Sequence, residues 1–161
     1  VSVQDISCFT WAFAYWKVPH AALYDSLVVA TLRQEASLGP KAVASILWAF
    51  ATLSIRNSEL LSTLTLRFQE MLAPKGRTVE VIGLREGGSI MWALATLAWK
   101  QSLPLNLVAA WAENQVTRAM EHLKSAQSLV ALVWSFAALG SRQVAFFRTV
   151  ASVVQSRFQH P

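Results

Sequence analysis

The stretch SIMWALATLAWK (89–100) decides how this chain is read. It carries no charge before Lys100 and sets small residues between large ones. A helix that is apolar nearly all round must be buried on several sides. Working outward, three other stretches follow the same plan: CFTWAFAYWK (8–17), SILWAFATLSIR (45–56) and ALVWSFAALGSR (131–142). Their shared tryptophans, Trp11, Trp48, Trp92 and Trp134, are separated by 37, 44 and 42 residues. Taking each Trp as position 0, position −3 holds Cys8, Ser45, Ser89 and Ala131. Position +1 holds Ala12, Ala49, Ala93 and Ser135, and position +2 holds Phe13, Phe50, Leu94 and Phe136. Position +3 is Ala14, Ala51, Ala95 and Ala137 in all four copies, and position +5 is Trp16, Leu53, Leu97 and Leu139. Agreement of four copies at several positions marks an internal repeat.

The small residues at −3, +1 and +3 are expected to let neighbouring helices approach closely. The large ones at 0, +2 and +5 would fill the space between them, which places the four repeat tryptophans in the core. Trp16, Trp99 and Trp111 are expected there too, and Cys8 reads as packed and inert. Each Trp helix is followed by an amphipathic stretch, at 20–36, 58–72, 104–123 and 143–159, with apolar residues at three- and four-residue spacing. Pro19 and Pro104 suit a first helical turn, Asn57 or Ser58 a cap, and Gly140 a helix end. Residues 73–88, APKGRTVEVIGLREGG, read as a long loop with a brief extended piece at 78–82. The whole predicts an all-α chain, a right-handed α-solenoid of about four helix-turn-helix repeats and about eight helices. The single array runs over 1–161, with repeats near 4–40, 41–84, 85–123 and 124–161.

Composition agrees. The 161 residues are 54% apolar and only 14% charged, against about 45–50% and about 25% in ordinary globular chains. That excludes intrinsic disorder. A single cysteine excludes a disulfide framework and a multi-cysteine metal site. The longest runs between charges, 125–141 and 42–55, fall short of the roughly 20 residues a membrane-spanning helix needs. They contain serines and a Gly140 break, so no membrane span is expected. The start, VSVQDISC, shows no signal peptide, and a first residue other than Met is what an excerpt or a processed product would have. Fourteen basic residues, nine of them Arg, against nine acidic ones give a net charge of +5. Such a balance favours nucleic acid or another anionic partner.

The Trp-Ala-hydrophobe-Ala core resembles the "WALA" helix of octotricopeptide repeats. It is equally similar to heptatricopeptide and FAST-kinase-like repeats of organellar RNA-binding proteins. Trp92-Ala93-Leu94-Ala95 shows the motif outright; Trp11-Ala12-Phe13-Ala14, Trp48-Ala49-Phe50-Ala51 and Trp134-Ser135-Phe136-Ala137 are close variants. Two of the spacings exceed the family's repeat length, and no RAP-like domain, which often follows such arrays, is visible. The resemblance implies a mitochondrial protein, or alternatively a plastid one, that holds ribosomal or messenger RNA, with a mitochondrial ribosome subunit as one such role among other proteins of an organellar ribonucleoprotein. A scaffold subunit of a large organellar assembly, with little RNA contact, is the alternative.

Three sets of basic residues are candidate RNA contacts. Arg33, Arg67, Arg118 and Arg157 recur once per amphipathic stretch, and guanidinium groups suit phosphates and bases. Near helix C-termini they also complement the helix dipole. Lys17, Arg56, Lys100 and Arg142 follow the Trp helices and would form a stripe along one edge. Lys75, Arg77 and Arg85 cluster in the long connector. No catalytic, metal or cofactor site is expected, nor a small-molecule substrate. His20, His122 and His160 lack ligand spacing, and Gly39-Pro40-Lys41 is not a phosphate loop.

Overall fold

A computed structural model describes residues 1–73, 82–119 and 126–159, the side chains of 119 and 157–159 excepted. Among them are eight α-helices, one short 3-10 turn and no strand. The helices are α1 (Val3–Tyr15), α2 (Ala21–Arg33), α3 (Pro40–Thr52), α4 (Ser58–Leu72), α5 (Leu84–Thr96), α6 (Leu105–Ala119), α7 (Gln127–Ala138) and α8 (Val144–Gln159). The all-α expectation and the count of helices both hold. No helix among the described residues is long and apolar enough to cross a membrane.

The odd-numbered helices form one layer, with α1 against α3, α3 against α5, and α5 against α7. The even-numbered helices form a second layer, with α2 against α4, α4 against α6 and α6 against α8. Each hairpin thus packs beside the next, as stacked helical repeats do. The Trp helices are the first layer, and their register is strict. The first three run from −8 to +4 relative to their Trp, and α7 from −7 to +4. Their N-terminal halves lie outside the stretches whose similarity reveals the repeat. Helix α5 therefore begins at Leu84, inside the expected loop. Gly87 and Gly88 sit in its second turn because neighbours press on it: a Cβ on Gly87 would strike the Trp111 ring, and one on Gly88 would lie 2.9 Å from the Ser128 carbonyl oxygen. Pro40, not Pro19, occupies a first turn; Pro19 precedes His20, the cap of α2. Asn57 caps α4, its side chain accepting the Leu60 N–H at 2.9 Å. The extended piece expected at 78–82 lies outside the described residues except for Ile82.

Every Trp helix ends the same way. The residue at +6 has positive φ: Lys17 (52°), Ser54 (57°), Ala98 (50°) and Gly140 (68°). The N–H at +7 donates to the carbonyl at +2 in all four copies (Val18 to Phe13, Ile55 to Phe50, Trp99 to Leu94, Ser141 to Phe136) at 2.8–2.9 Å. This is a Schellman closure, which satisfies carbonyls left over at a helix end and turns the chain into the second helix. Only one copy has the glycine that the left-handed region favours; elsewhere it costs about 1–2 kcal/mol.

The core lies between the layers. Phe50, Phe136, Ile46, Leu47 and Ile90 of the first layer are sealed from solvent, as are Leu60, Leu61, Leu64, Phe68 and Phe146 of the second. The buried hydroxyls of Thr10, Thr31, Thr65 and Ser135 each donate to the carbonyl four residues back, at 2.6–2.7 Å, so these polar groups are paired inside their own helices. The Tyr24 hydroxyl donates to the Thr10 carbonyl oxygen at 3.3 Å, and burial raises its pKa above the usual tyrosine value.

Two substitutions test the repeated closure. Ala98→Gly is expected to stabilise the fold by about 1 kcal/mol, and Gly140→Ala to destabilise it by a similar amount. Chemical denaturation of the two variants beside the parent reads both signs.

Candidate nucleic-acid interface

Each residue of a helix advances by about 100° around the axis, so each Trp helix divides into four faces. Positions +2 and −5 point at the second layer. Positions +1 and −2 are sealed in the last three copies, whereas in the first Ala12 is half-buried and Phe9 exposed, so they face the preceding repeat. Position +3 is buried in the first three copies and exposed in the last, so it faces the following one. The remaining face carries −7, −3 and 0. No helix among the described residues covers it.

That open face forms a long groove across α1, α3, α5 and α7, enclosing about 1440 Å³. Position 0 lines one side with Trp11, Trp48, Trp92 and Trp134. Position −3 gives a floor of Cys8, Ser45, Ser89 and Ala131. Position −7 lines the other side with Gln4, Lys41, Arg85 and Gln127. All twelve border the same groove because −7, −3 and 0 fall on one stripe of a helix. The Trp11 and Trp48 rings lie 6.5 Å apart at 28°, so the row is continuous where it begins, and Trp11 also stacks on Tyr15 at 5.0 Å.

The repeat tryptophans are thus not sealed in the core as expected, although Trp92 packs against it. Trp11 and Trp134 are 46% and 45% exposed, and Trp48 and Trp92 are half-buried. Cys8, read as packed, is exposed in the groove, where the Gln4 amide approaches its Sγ at 3.7 Å. Of the other tryptophans, Trp99 is buried, Trp111 is half-buried against Gly87, and Trp16 is 76% exposed. The misreading has one cause. A groove floored by alanine and serine has the hydropathy of a helix interface, so small residues beside a Trp cannot reveal whether a helix or solvent covers them. The informative signal was position −7, where four long polar side chains recur two turns before the Trp. Of that row only Arg85 was expected at a site; Gln4, Lys41 and Gln127 were not.

The expected basic residues are dispersed. Arg85 lies in the groove, at the start of α5 rather than in a loop, with its Nε 3.6 Å from a Glu86 carboxylate oxygen. Lys17, Arg56, Lys100 and Arg142 are exposed just beyond the C-termini of the Trp helices and border none of the Trp groove. Arg33 and Arg118 are exposed in the last turns of α2 and α6, in the other layer. Arg157 belongs to α8, but its side chain lies outside the described residues, as do Lys75 and Arg77 entirely. Arg67 serves the fold: its Nε donates to the Leu38 carbonyl at 3.0 Å, a terminal nitrogen to the Ala36 carbonyl at 3.1 Å, and the other to Glu70 at 2.8 Å. It ties α4 to the connector between α2 and α3.

The chain matches no protein-family model, no curated protein and no solved structure.

Arg67→Ala is expected to lower stability by roughly 1.5–3 kcal/mol, the range for hydrogen bonds from a charged donor. Arg67→Lys should recover only part of this, since a lysine has no planar fork to span two carbonyls and a carboxylate. Urea denaturation of both variants measures the loss; unchanged midpoints would show that the tie contributes nothing.

Proposed function

We propose that this protein binds single-stranded RNA along the groove of its Trp helices, as a non-catalytic helical-repeat protein of organellar gene expression. The observation that carries this reading is the row of four repeat-related tryptophans, partly open to solvent and facing a polar row that includes Lys41 and Arg85. Unpaired bases stack on exposed aromatic rings, and each such contact is worth about 1–3 kcal/mol. The cations opposite would hold the phosphate backbone, and the net charge of +5 steers an anionic strand toward the array. A double-stranded helix would keep its bases stacked among themselves, so the groove suits a single strand.

The likeness of the Trp-Ala-hydrophobe-Ala helices to octotricopeptide and related repeats supports the same reading. It is the basis for proposing a mitochondrial setting, or else a plastid one, with ribosomal or messenger RNA as the ligand and a place in an organellar ribonucleoprotein. The right-handed sense of the stack belongs to this proposal too. Arg33 and Arg118 of the second layer play at most a steering part in it, and Arg67 none.

Titration with a fluorescent single-stranded RNA at several salt concentrations tests the site. Trp11→Ala and Trp134→Ala should each weaken binding by about 5- to 150-fold at fixed salt, with the helical content intact. The pair Lys41→Gln and Arg85→Gln should together reduce the salt slope by about one and a half. Arg33→Ala and Arg118→Ala should change the affinity far less than either tryptophan variant. Absence of binding at low salt, or a greater loss from the second-layer arginines than from the tryptophans, overturns the assignment.

A further inference from the structure

The two ends of the array are complementary, and they bear on assembly independently of any RNA. At position −2, Ile46, Ile90 and Leu132 are completely buried, whereas Phe9 is 53% exposed. At +5, Leu97 and Leu139 are buried and Leu53 is half-buried, whereas Trp16 is 76% exposed. Both positions face the preceding repeat, so the first hairpin presents large apolar groups where the other three hairpins are covered. The opposite end shows the converse. Ala14, Ala51 and Ala95 are buried at +3 while Ala137 is exposed, and at −4 Ala44 and Gly88 are buried while Val130 is 62% exposed.

The tail also has a socket. A cavity of about 730 Å³ opens between the end of α7 and α8, with Ala137, Val144, Phe147 and Ala151 as its apolar lining and Arg142 and Arg148 at its border. An aromatic pair inside the array shows what belongs there. Phe50, at +2, meets Tyr24 of the preceding hairpin edge-on, with centroids 5.3 Å apart. Tyr24 stands 13 residues after Trp11, and Phe147 stands 13 after Trp134. Phe13 is the head's residue at +2. The head and the tail therefore hold the two halves of a contact already made inside the chain.

We propose that two copies of this chain associate head to tail, with Phe9, Phe13 and Trp16 of one copy seated on the α7–α8 face of the other. The junction continues the inter-repeat packing, and being heterologous it leaves a free head and a free tail for further growth. The Trp grooves of successive copies would then run on as one track.

Sedimentation velocity of the nuclease-treated chain over a concentration series tests this. The parent should form dimers and larger species as concentration rises. The head variant F9E/W16E and the tail variant A137E should each weaken self-association by at least about tenfold. Mixed together, they should form a 1:1 dimer that grows no further, because one brings the only free tail and the other the only free head. All three substituted side chains are exposed, and V130E serves as a second tail variant if A137E loses its circular dichroism signature. A parent that stays monomeric throughout overturns the proposal and leaves the ends to another repeat or another protein. A head variant that assembles as well as the parent, or a mixture that fails to pair, overturns it as well.

Discussion

Close lateral contact between the Trp helices is the constraint on which everything else depends. It is set by alanine at +1 and +3 and carried furthest at Gly88, where a methyl group would collide with the Ser128 backbone. Helices packed through small residues sit near the short end of the usual range of about 8–10 Å between axes. With both flanks of a helix closed by neighbours and its back closed by the second layer, one face is left over. In this register the leftover face holds the Trp. The tryptophans are therefore side by side and open for the same reason that the alanines are buried.

The second consequence is the uniform exit. Each Trp helix must hand the chain to a second helix lying behind it, and all four do so through the same left-handed residue and the same +7 to +2 hydrogen bond. That the backbone adopts this turn at Lys17, Ser54 and Ala98 without glycine shows that packing over-determines it. The strict geometry also accounts for the variable spacing of the tryptophans. The Trp helices keep their limits; the added length falls between α4 and α5, between α5 and α6, and in α4 and α6 themselves, which exceed α2 by two residues each.

The fold was legible in the sequence because burial on several sides leaves a plain mark: four apolar helices, each followed by an amphipathic one. The site was legible only in part. Hydropathy separates water from protein but not a solvent-open apolar face from a packed one, so Trp11, Trp48, Trp92 and Trp134 read as core. Arg67 failed differently. Its recurrence with Arg157, in Arg-Phe-Gln at 67–69 and 157–159, suggested a repeated ligand contact, yet its guanidinium is spent on two backbone carbonyls. An arginine in the C-terminal half of a helix that closes a connector looks the same in sequence as one aimed at a phosphate. The polar row at −7 was the readable clue, since two helical turns place it on the same stripe as the Trp.

The central claim is that the open Trp face, and not the arginine-bearing second layer, is where a strand lies. Ultraviolet crosslinking of the chain to a single-stranded RNA, followed by mass spectrometry of the adducts, reads the location directly. The account predicts nucleotide adducts on peptides from α1, α3, α5 and α7, centred on Trp11, Trp48, Trp92 and Trp134. Adducts confined to α2, α4, α6 and α8, around Arg33 and Arg118, would contradict it.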